Sequence, residues 1–344
     1  MVTTIEIKRE MRNPSKVIVG DALGLLPEMV PPGRRVVAVT DPNVDAIYGD
    51  TIRAVAGEVI VIPTGEENKT FATVEAIHRR LVEIGADRRT YIVGVGGGIT
   101  TDVTGFAAST YLRGVEFGFV ATSLLAQVDA SVGGKNGVNV AGFKNMAGVF
   151  NQPDFVLCDT GVLATLPPRE FRAGLAEMIK AGIIADPALF ETFERHSPED
   201  LLADPKLLTE AITAAIRVKA AIVDADEREA GERRKLNLGH TVAHAIEKLS
   251  RRYNHGEAVG AGLVAIAGIS ERLGLLAAND RNRIVRAVQK AGLPTSTGIP
   301  GGEMAQALTR DKKVEGDALW LVTVRAIGDV DVRRTPIDEL AALL

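Results

Sequence analysis

The sequence predicts an α/β domain with a mostly parallel sheet over residues 1–163, followed by a mainly α-helical domain over residues 164–344. Three observations carry this reading. Short β-branched runs alternate with helical stretches through the first half, and a glycine-rich turn follows one of the central runs. The second half has helical periodicity almost throughout.

The runs are "VIVG" 17–20, "RVVAVT" 35–40, "VIVIP" 59–63, "YIVGVG" 91–96, "FVAT" 119–122 and "FVLCD" 155–159. Between the third and fourth, "TFATVEAIHRRLVEIG" 70–85 carries Phe71, Val74, Ile77, Leu81 and Ile84 at helical spacing. From Pro167 the pattern changes: "PPREFRAGLAEMIKAGII" opens on prolines, which suit a first helical turn. Further helices are expected around 205–224, 236–251, 256–273, 279–291 and 302–309, and only "LWLVTVRAIGDVDV", 319–332, reads as a late hairpin. The cleft between the two domains is the default site.

Composition narrows the function classes. With 344 residues, 46% hydrophobic and 24% charged, the chain has the balance of an ordinary soluble protein. A net charge of −4 argues against a general binder of nucleic acid or anionic membrane, because no basic excess exists to neutralise phosphates. The single cysteine, Cys158, excludes an internal disulfide and any cysteine-cluster metal site. No apolar signal core opens the chain and no run of about 18 apolar residues occurs, so a cytoplasmic location is expected.

In "YIVGVGGGITTDVTGFAAS" a strand meets Gly94, Gly96, Gly97 and Gly98, with a helix expected to start near Thr101. Glycines there admit a phosphate close to the backbone, and a helix N-terminus offers free N–H groups. A plain tight turn reads equally well, since Ile99 stands where the standard G-x-G-x-x-G has its third glycine. Asp41 after "VVAVT", and Glu66 with Lys69 in "PTGEENK", add polar loops after apolar strands, which suits a nucleotide crevice or solvated turns.

"ATSLLAQVDASVGGKNGVNVAGFKNMAG", 121–148, sets Asp129, Lys135, Asn139, Lys144 and Asn145 among glycines. Leu124, Leu125, Val128, Val138, Phe143 and Met146 make it too apolar for a solvated linker. In the helix after Pro167, Glu177 and Lys180 share a face with Ala173, Ala181 and Ile184. An exposed ion pair is one account; a face turned inward is the other, and there a carboxylate needs a cation or metal. "LNLGHTVAHAIEKLSRRYNHGEAV", 236–259, has Leu238, Val242, Ala245, Ile246 and Leu249 as its apolar stripe and Asn237, His240, His244 and Glu247 opposite, facing solvent or a cleft.

These residues, with "YLRG", "LLAQVDASVGGKNGVN", "GFKNM", "LPPREFRAGLAEMIKAG", "DEREAGERRKLNLGHTVAHAIE", "HGEAV" and "DKKVEG", resemble the 3-dehydroquinate synthase family of sugar-phosphate cyclases, from about Asp41 to Lys313. The resemblance implies conversion of 3-deoxy-arabino-heptulosonate 7-phosphate to 3-dehydroquinate and phosphate, by transient oxidation with NAD, β-elimination, re-reduction and aldol closure. It implies Glu177, His240 and His255 as ligands of a divalent metal, zinc or cobalt. Asp41, Glu66, Lys69, Gly97, Gly98, Asp102, Thr122, Ser123, Lys144 and Thr165 match NAD-binding positions. Asp129, Lys135, Asn145, Lys180, Lys219, Glu229, Arg233, Asn237, His244 and Lys312 match substrate-site positions, with Lys135, Asn145, Asn237, His244 and Lys312 at the phosphate and Lys219 and Arg233 at the carboxylate. Arg113 is implied to reach a neighbouring subunit's site in a homodimer. Two departures fall in the cofactor half: the family's GGVIGD reads "GGITTD", and its Pro-Thr-Thr reads Ala121-Thr122-Ser123. A related cyclase acting on a substrate without a carboxylate, or a metal-dependent polyol dehydrogenase, is the alternative.

Overall fold

Short apolar runs without polar alternation can bury both their faces only in a sheet covered on both sides. The computed structural model describes residues 2–7, 14–308, 314–315 and 318–343 and divides into two compact units, Met1–Leu166 and Pro167–Leu344.

The first unit contains β1 (Thr3–Ile7), β2 (Ser15–Gly20), α1 (Leu26–Met29), β3 (Val36–Thr40), α2 (Pro42–Arg53), β4 (Glu58–Val61), α3 (Phe71–Glu83), β5 (Tyr91–Gly96), α4 (Gly98–Thr110), β6 (Phe117–Ala121), β7 (Lys135–Val140), β8 (Phe143–Phe150) and β9 (Phe155–Asp159). Seven of these strands form one sheet in the order β1-β2-β9-β6-β5-β3-β4. Only the β1–β2 pairing is antiparallel. Strands β3, β5, β6 and β9 are buried at every residue, as expected for strands covered on both faces. The chain runs outward from β3 to β4 and then returns to lay β5 on the other side of β3. That reversal opens a crevice at the carboxyl ends of β3 and β5, where Asp41 and Gly96–Gly98 follow directly.

Helix α4 begins at Gly98, three residues before the expected start, so the glycines belong to the helix N-terminus rather than to a loop before it. The hairpin β7–β8 has no counterpart among the expected strands. Its glycines and asparagines have low strand propensity, and pairing with each other supplies what their side chains do not. Val138 in it is buried, whereas Phe143 and Met146 are exposed, so apolar residues there do not all mark a covered face.

The second unit contains α5 (Pro168–Ala185), α6 (Pro187–Arg195), α7 (Pro198–Ala203), α8 (Pro205–Ala225), α9 (His240–Leu249), α10 (His255–Arg272), α11 (Ala278–Lys290), α12 (Gly301–Leu308), β10 (Val314–Glu315), β11 (Ala318–Ala326), β12 (Asp329–Pro336) and α13 (Ile337–Ala342). From Phe171 to Ile184 every residue of α5 except Arg172 is buried, Glu177 and Lys180 included. A helix enclosed on all sides is the centre of its unit. The late hairpin forms as β11–β12. Helix α9 is shorter than the expected 236–251: Asn237 ends a 3-10 turn before it, and Leu249 is exposed rather than part of the apolar stripe. Among the described residues no helix is long and apolar enough to cross a membrane.

Arg283 on α11 forks onto Glu194 of α6 with two 2.8 Å bonds and holds that carboxyl below the usual carboxylate range. A depressed carboxyl contributes stability above its unfolded value and loses it as pH falls. Glu194→Gln is therefore expected to cost about 1 kcal/mol at pH 7. The gap should shrink below pH 4.5, the ordinary value for the group. Denaturant melts of both proteins at neutral and acidic pH check this; a gap independent of pH would contradict it.

Candidate active site

In the first unit the sheet crevice is lined from three directions. Asp41 caps α2, its Oδ1 accepting from the N–H groups of Asn43 and Val44 at 3.0 and 3.2 Å, while Oδ2 lies 3.4 Å from the Thr100 hydroxyl. Thr100 is one of the substituted positions in "GGITTD", and its hydroxyl thus reaches the carboxylate at the end of β3. Helix α4 has no side-chain cap at Gly97 and no acid in its first turn, which leaves its N–H groups directed at the crevice. A Cβ on Gly97 would stand 3.4 Å from the Ser123 hydroxyl, so the glycine keeps that approach open. Ser123 itself accepts from the Ala126 N–H, and Thr122 donates its N–H to Gly96.

The loop after β4 joins the same region. Buried Lys69 donates to Asp102 on α4 and, at 2.5 Å, to Asn145 on β8. Asn139 on β7 donates to the Glu66 carboxylate at 2.8 Å and accepts from the Asn145 N–H at 2.9 Å. Burial raises the Asp102 carboxyl above the usual range, the Lys69 ammonium opposing the rise. Glu66, Lys69, Asp102 and Asn145 are therefore brought together, and Asn139, which the sequence reading did not assign a role, is the bridge. Its amide among glycines was the only available signal. Asp129 sits half-buried in a π-helical turn, Ala126–Ala130. Lys135, Lys144, Thr165 and Arg113 are exposed; Thr165 lies 3.0 Å from the Tyr48 hydroxyl and the Lys135 ammonium 6.0 Å from the Phe150 ring.

In the second unit, Glu177 projects from the middle of α5, and His240 and His255 are the first residues of α9 and α10. Local sequence sets those starts. Gly239 takes a left-handed conformation, φ 78°, that turns the chain into α9. Asn254 and Glu257 form a reciprocal capping box around the start of α10. Arg169 of α5 then grips Glu257 with two bonds of 2.8 and 2.6 Å. Two glycines set the spacing of the three helices: a Cβ on Gly256 would run into the Ala173 backbone of α5, and one on Gly262 into the Gly239 carbonyl before α9.

The result is a compact donor set. Glu177 Oε1 lies 3.5 Å from His240 Nε2 and 3.3 Å from His255 Nε2, and the three ligand atoms lie within 4.8 Å of one another. Lys180 contacts the other Glu177 oxygen. Glu177 is 3% exposed, and among the described residues neither carboxylate oxygen has a well-aligned hydrogen-bond donor. Burial alone would raise the Glu177 carboxyl, but Lys180 and the two imidazoles hold it well below the usual range. Burial would lower His255, yet the neighbouring carboxylates of Glu177 and Glu247 outweigh it and push the imidazole up to about 10. A carboxylate can only accept, so a cation in place of the Nε2 proton satisfies the same geometry. One carboxylate oxygen and two imidazoles are a donor set that leaves positions open for substrate oxygens, the mark of a catalytic metal centre.

His244 stands one turn from His240, their rings nearly perpendicular at 5.7 Å, and lies outside the three-residue cluster. Asn237 donates to Glu229 at 2.7 Å, and the buried Arg233 donates to the Glu227 carbonyl from its guanidinium and to Asp226 from its backbone. Lys219 is half-buried on α8, and Lys312 lies outside the described residues. Arg113, Asn145 and Glu229 adopt left-handed backbone, with φ of 70°, 54° and 62°. Such strain in non-glycine residues concentrates at functional sites.

The family model for the 3-dehydroquinate synthase N-terminal domain matches residues 59–173, and that for the C-terminal domain matches 174–314. A 3-dehydroquinate synthase of Halorhodospira halophila is 45% identical over 303 residues, covering 87% of this chain and 86% of the relative. Among solved structures, 2-deoxy-scyllo-inosose synthase complexed with carbaglucose-6-phosphate, NAD+ and Co2+ has a TM-score of 0.87 at 27% identity, over 99% of both chains. The 2-epi-5-epi-valiolone synthase of Streptomyces hygroscopicus subsp. jinggangensis, with NAD+ and Zn2+ bound, has a TM-score of 0.89 at 26% identity over 98% of both.

Proposed function

The chain belongs to the 3-dehydroquinate synthase family, and from that premise we propose that it is a lyase converting 3-deoxy-D-arabino-heptulosonate 7-phosphate to 3-dehydroquinate and phosphate, in aromatic amino-acid biosynthesis. The observation that carries the reading is the buried carboxylate of Glu177 facing two imidazoles at the starts of two other helices. An exposed ion pair needs none of this burial, whereas a metal-dependent carbon–oxygen elimination does.

Glu177, His240 and His255 would hold the divalent ion, Zn2+ or Co2+. When bound, NAD supplies a hydride acceptor that returns the hydride in the same turnover, and the metal supplies a Lewis acid. Asp41, Glu66, Lys69, Gly97, Gly98, Asp102, Thr122, Ser123, Lys144 and Thr165 are assigned to the dinucleotide. Two features support this: the uncapped N-terminus of α4 suits a pyrophosphate, and the carboxylate after β3 suits a ribose hydroxyl.

Lys135, Asn145, Asn237, His244 and Lys312 are assigned to the substrate phosphate, and Lys219 and Arg233 to its carboxylate. Arg233 offers the planar fork that a carboxylate accepts in two bonds. Asp129, Lys180 and Glu229 would meet the reacting part of the sugar. Arg113 would complete the neighbouring subunit's site in a cytoplasmic homodimer, with no nucleic acid or membrane as partner. Retention of both Lys219 and Arg233 favours a substrate with a carboxylate over a sugar phosphate without one.

The test is incubation with the heptulosonate phosphate, catalytic NAD and zinc, following phosphate and 3-dehydroquinate together. One phosphate per dehydroquinate, with no accumulating NADH, is the expected result. Steady NADH production from a simple polyol without phosphate release would overturn it in favour of a dehydrogenase.

A further inference from the structure

Glu247 lies on α9 two turns beyond His240, and its side chain is only 8% exposed. Its Oε1 is 3.2 Å from His255 Nδ1, the ring nitrogen on the far side from Glu177. A carboxylate oxygen there accepts, so Nδ1 carries the hydrogen. In the neutral ring that leaves the Nε2 lone pair directed at Glu177 and His240. His240 is held in the equivalent way by the chain itself: its Nδ1 is 3.2 Å from the Leu238 carbonyl. Both imidazoles of the donor set are thus fixed from behind, one by backbone and one by a single replaceable side chain.

We propose that Glu247 is a positioning residue of the metal centre, selecting the His255 tautomer and ring orientation that present Nε2 to a divalent cation. The inference rests on the metal reading given above. The physical reason is general: a ligand imidazole whose second nitrogen is bound to a carboxylate is more basic and loses less rotational freedom on binding metal, and removal of such a partner weakens metal binding about 10–100-fold. Glu247 also ties α9 to α10 through this bond, so a purely structural role is the competing account and must be separable.

The experiment compares wild type, Glu247→Ala and Glu247→Gln, each stripped with chelator and titrated with Zn2+ against a competing chelator, and with Co2+ followed by its visible absorption. Wild type is expected to bind one ion; failure to bind any would refute the metal reading itself. Glu247→Ala is expected to bind about 10–100-fold more weakly, with an altered Co2+ spectrum and a loss of metal-free stability smaller than the loss in binding. Glu247→Gln keeps an oxygen that accepts from Nδ1–H, so it should recover most of the affinity and the wild-type spectrum. Wild-type metal affinity in Glu247→Ala would overturn the proposal. So would a loss in Glu247→Gln equal to that in alanine, or weakened binding accompanied by an equal loss of metal-free stability.

Discussion

Replacing His240 with alanine is expected to strip the protein of bound metal, whereas the same change at His244 leaves the metal in place. The two rings are 5.7 Å apart on one helix, but only His240 has a nitrogen facing Glu177 within the 4.8 Å donor cluster. Removing one of three protein ligands should weaken metal binding by more than the about 10–100-fold that follows from losing an outer partner. Turnover should fall about 1,000-fold or more, because Lewis-acid stabilisation of several kcal/mol goes with the ion. His244→Ala removes a donor proposed to face the substrate phosphate, a hydrogen bond to a charged group worth about 1.5–3 kcal/mol, so kcat/KM should fall about 10–100-fold with metal content unchanged. Metal analysis after dialysis, together with phosphate-release kinetics, decides between them. Equal metal loss in both variants would mean that the two histidines act as one clamp.

The second large effect concerns a methyl group. In Gly256→Ala the new Cβ meets the Ala173 backbone of α5, and backbone cannot step aside as a flexible side chain can. Overpacking of this kind costs about 3 kcal/mol or more when the obstacle is rigid. The same displacement moves α10 away from α5, and with it His255 away from Glu177, so metal affinity should fall together with stability. Gly268→Ala on the same helix is the control: its Cβ would meet only the end of the Arg272 side chain at 3.7 Å. There the higher helix propensity of alanine should stabilise by about 1 kcal/mol. Denaturant midpoints and metal titrations of the two variants check both halves. A stable, fully metallated Gly256→Ala protein would contradict the close-approach account.

How much of this was legible beforehand differs by element. Strands β5 and β9 lie at the residues where their apolar runs stand, because strands buried on both faces leave continuous apolar text. Helix α5 was equally plain in extent, yet its sequence left Glu177 and Lys180 open between a surface pair and an inward face. Helical spacing places residues on a face but says nothing of what that face meets. The hairpin β7–β8 was invisible because its glycines and asparagines carry no strand signal of their own. Helix α9 begins later than its apolar pattern suggested, since the 3-10 turn runs to Asn237 and left-handed Gly239 then turns the chain into the helix.

The sequence by itself determined the alternation of strands and helices, the change to helices after Pro167, and, through long ordered motifs, the family and its candidate residues. These are properties of nearest neighbours and of residue identity, which a linear string records in full. Only the tertiary structure decided that Glu177 meets His240 and His255 while His244 stands outside, that Asn139 joins Glu66 to Asn145, and that Glu247 stands behind His255. Glu177 with the two histidines, and Glu66 with Asn139, join segments far apart in the chain. The donor set of Glu177, His240 and His255 depends on how closely α5, α9 and α10 approach, and two absent side chains, at Gly256 and Gly262, set that distance.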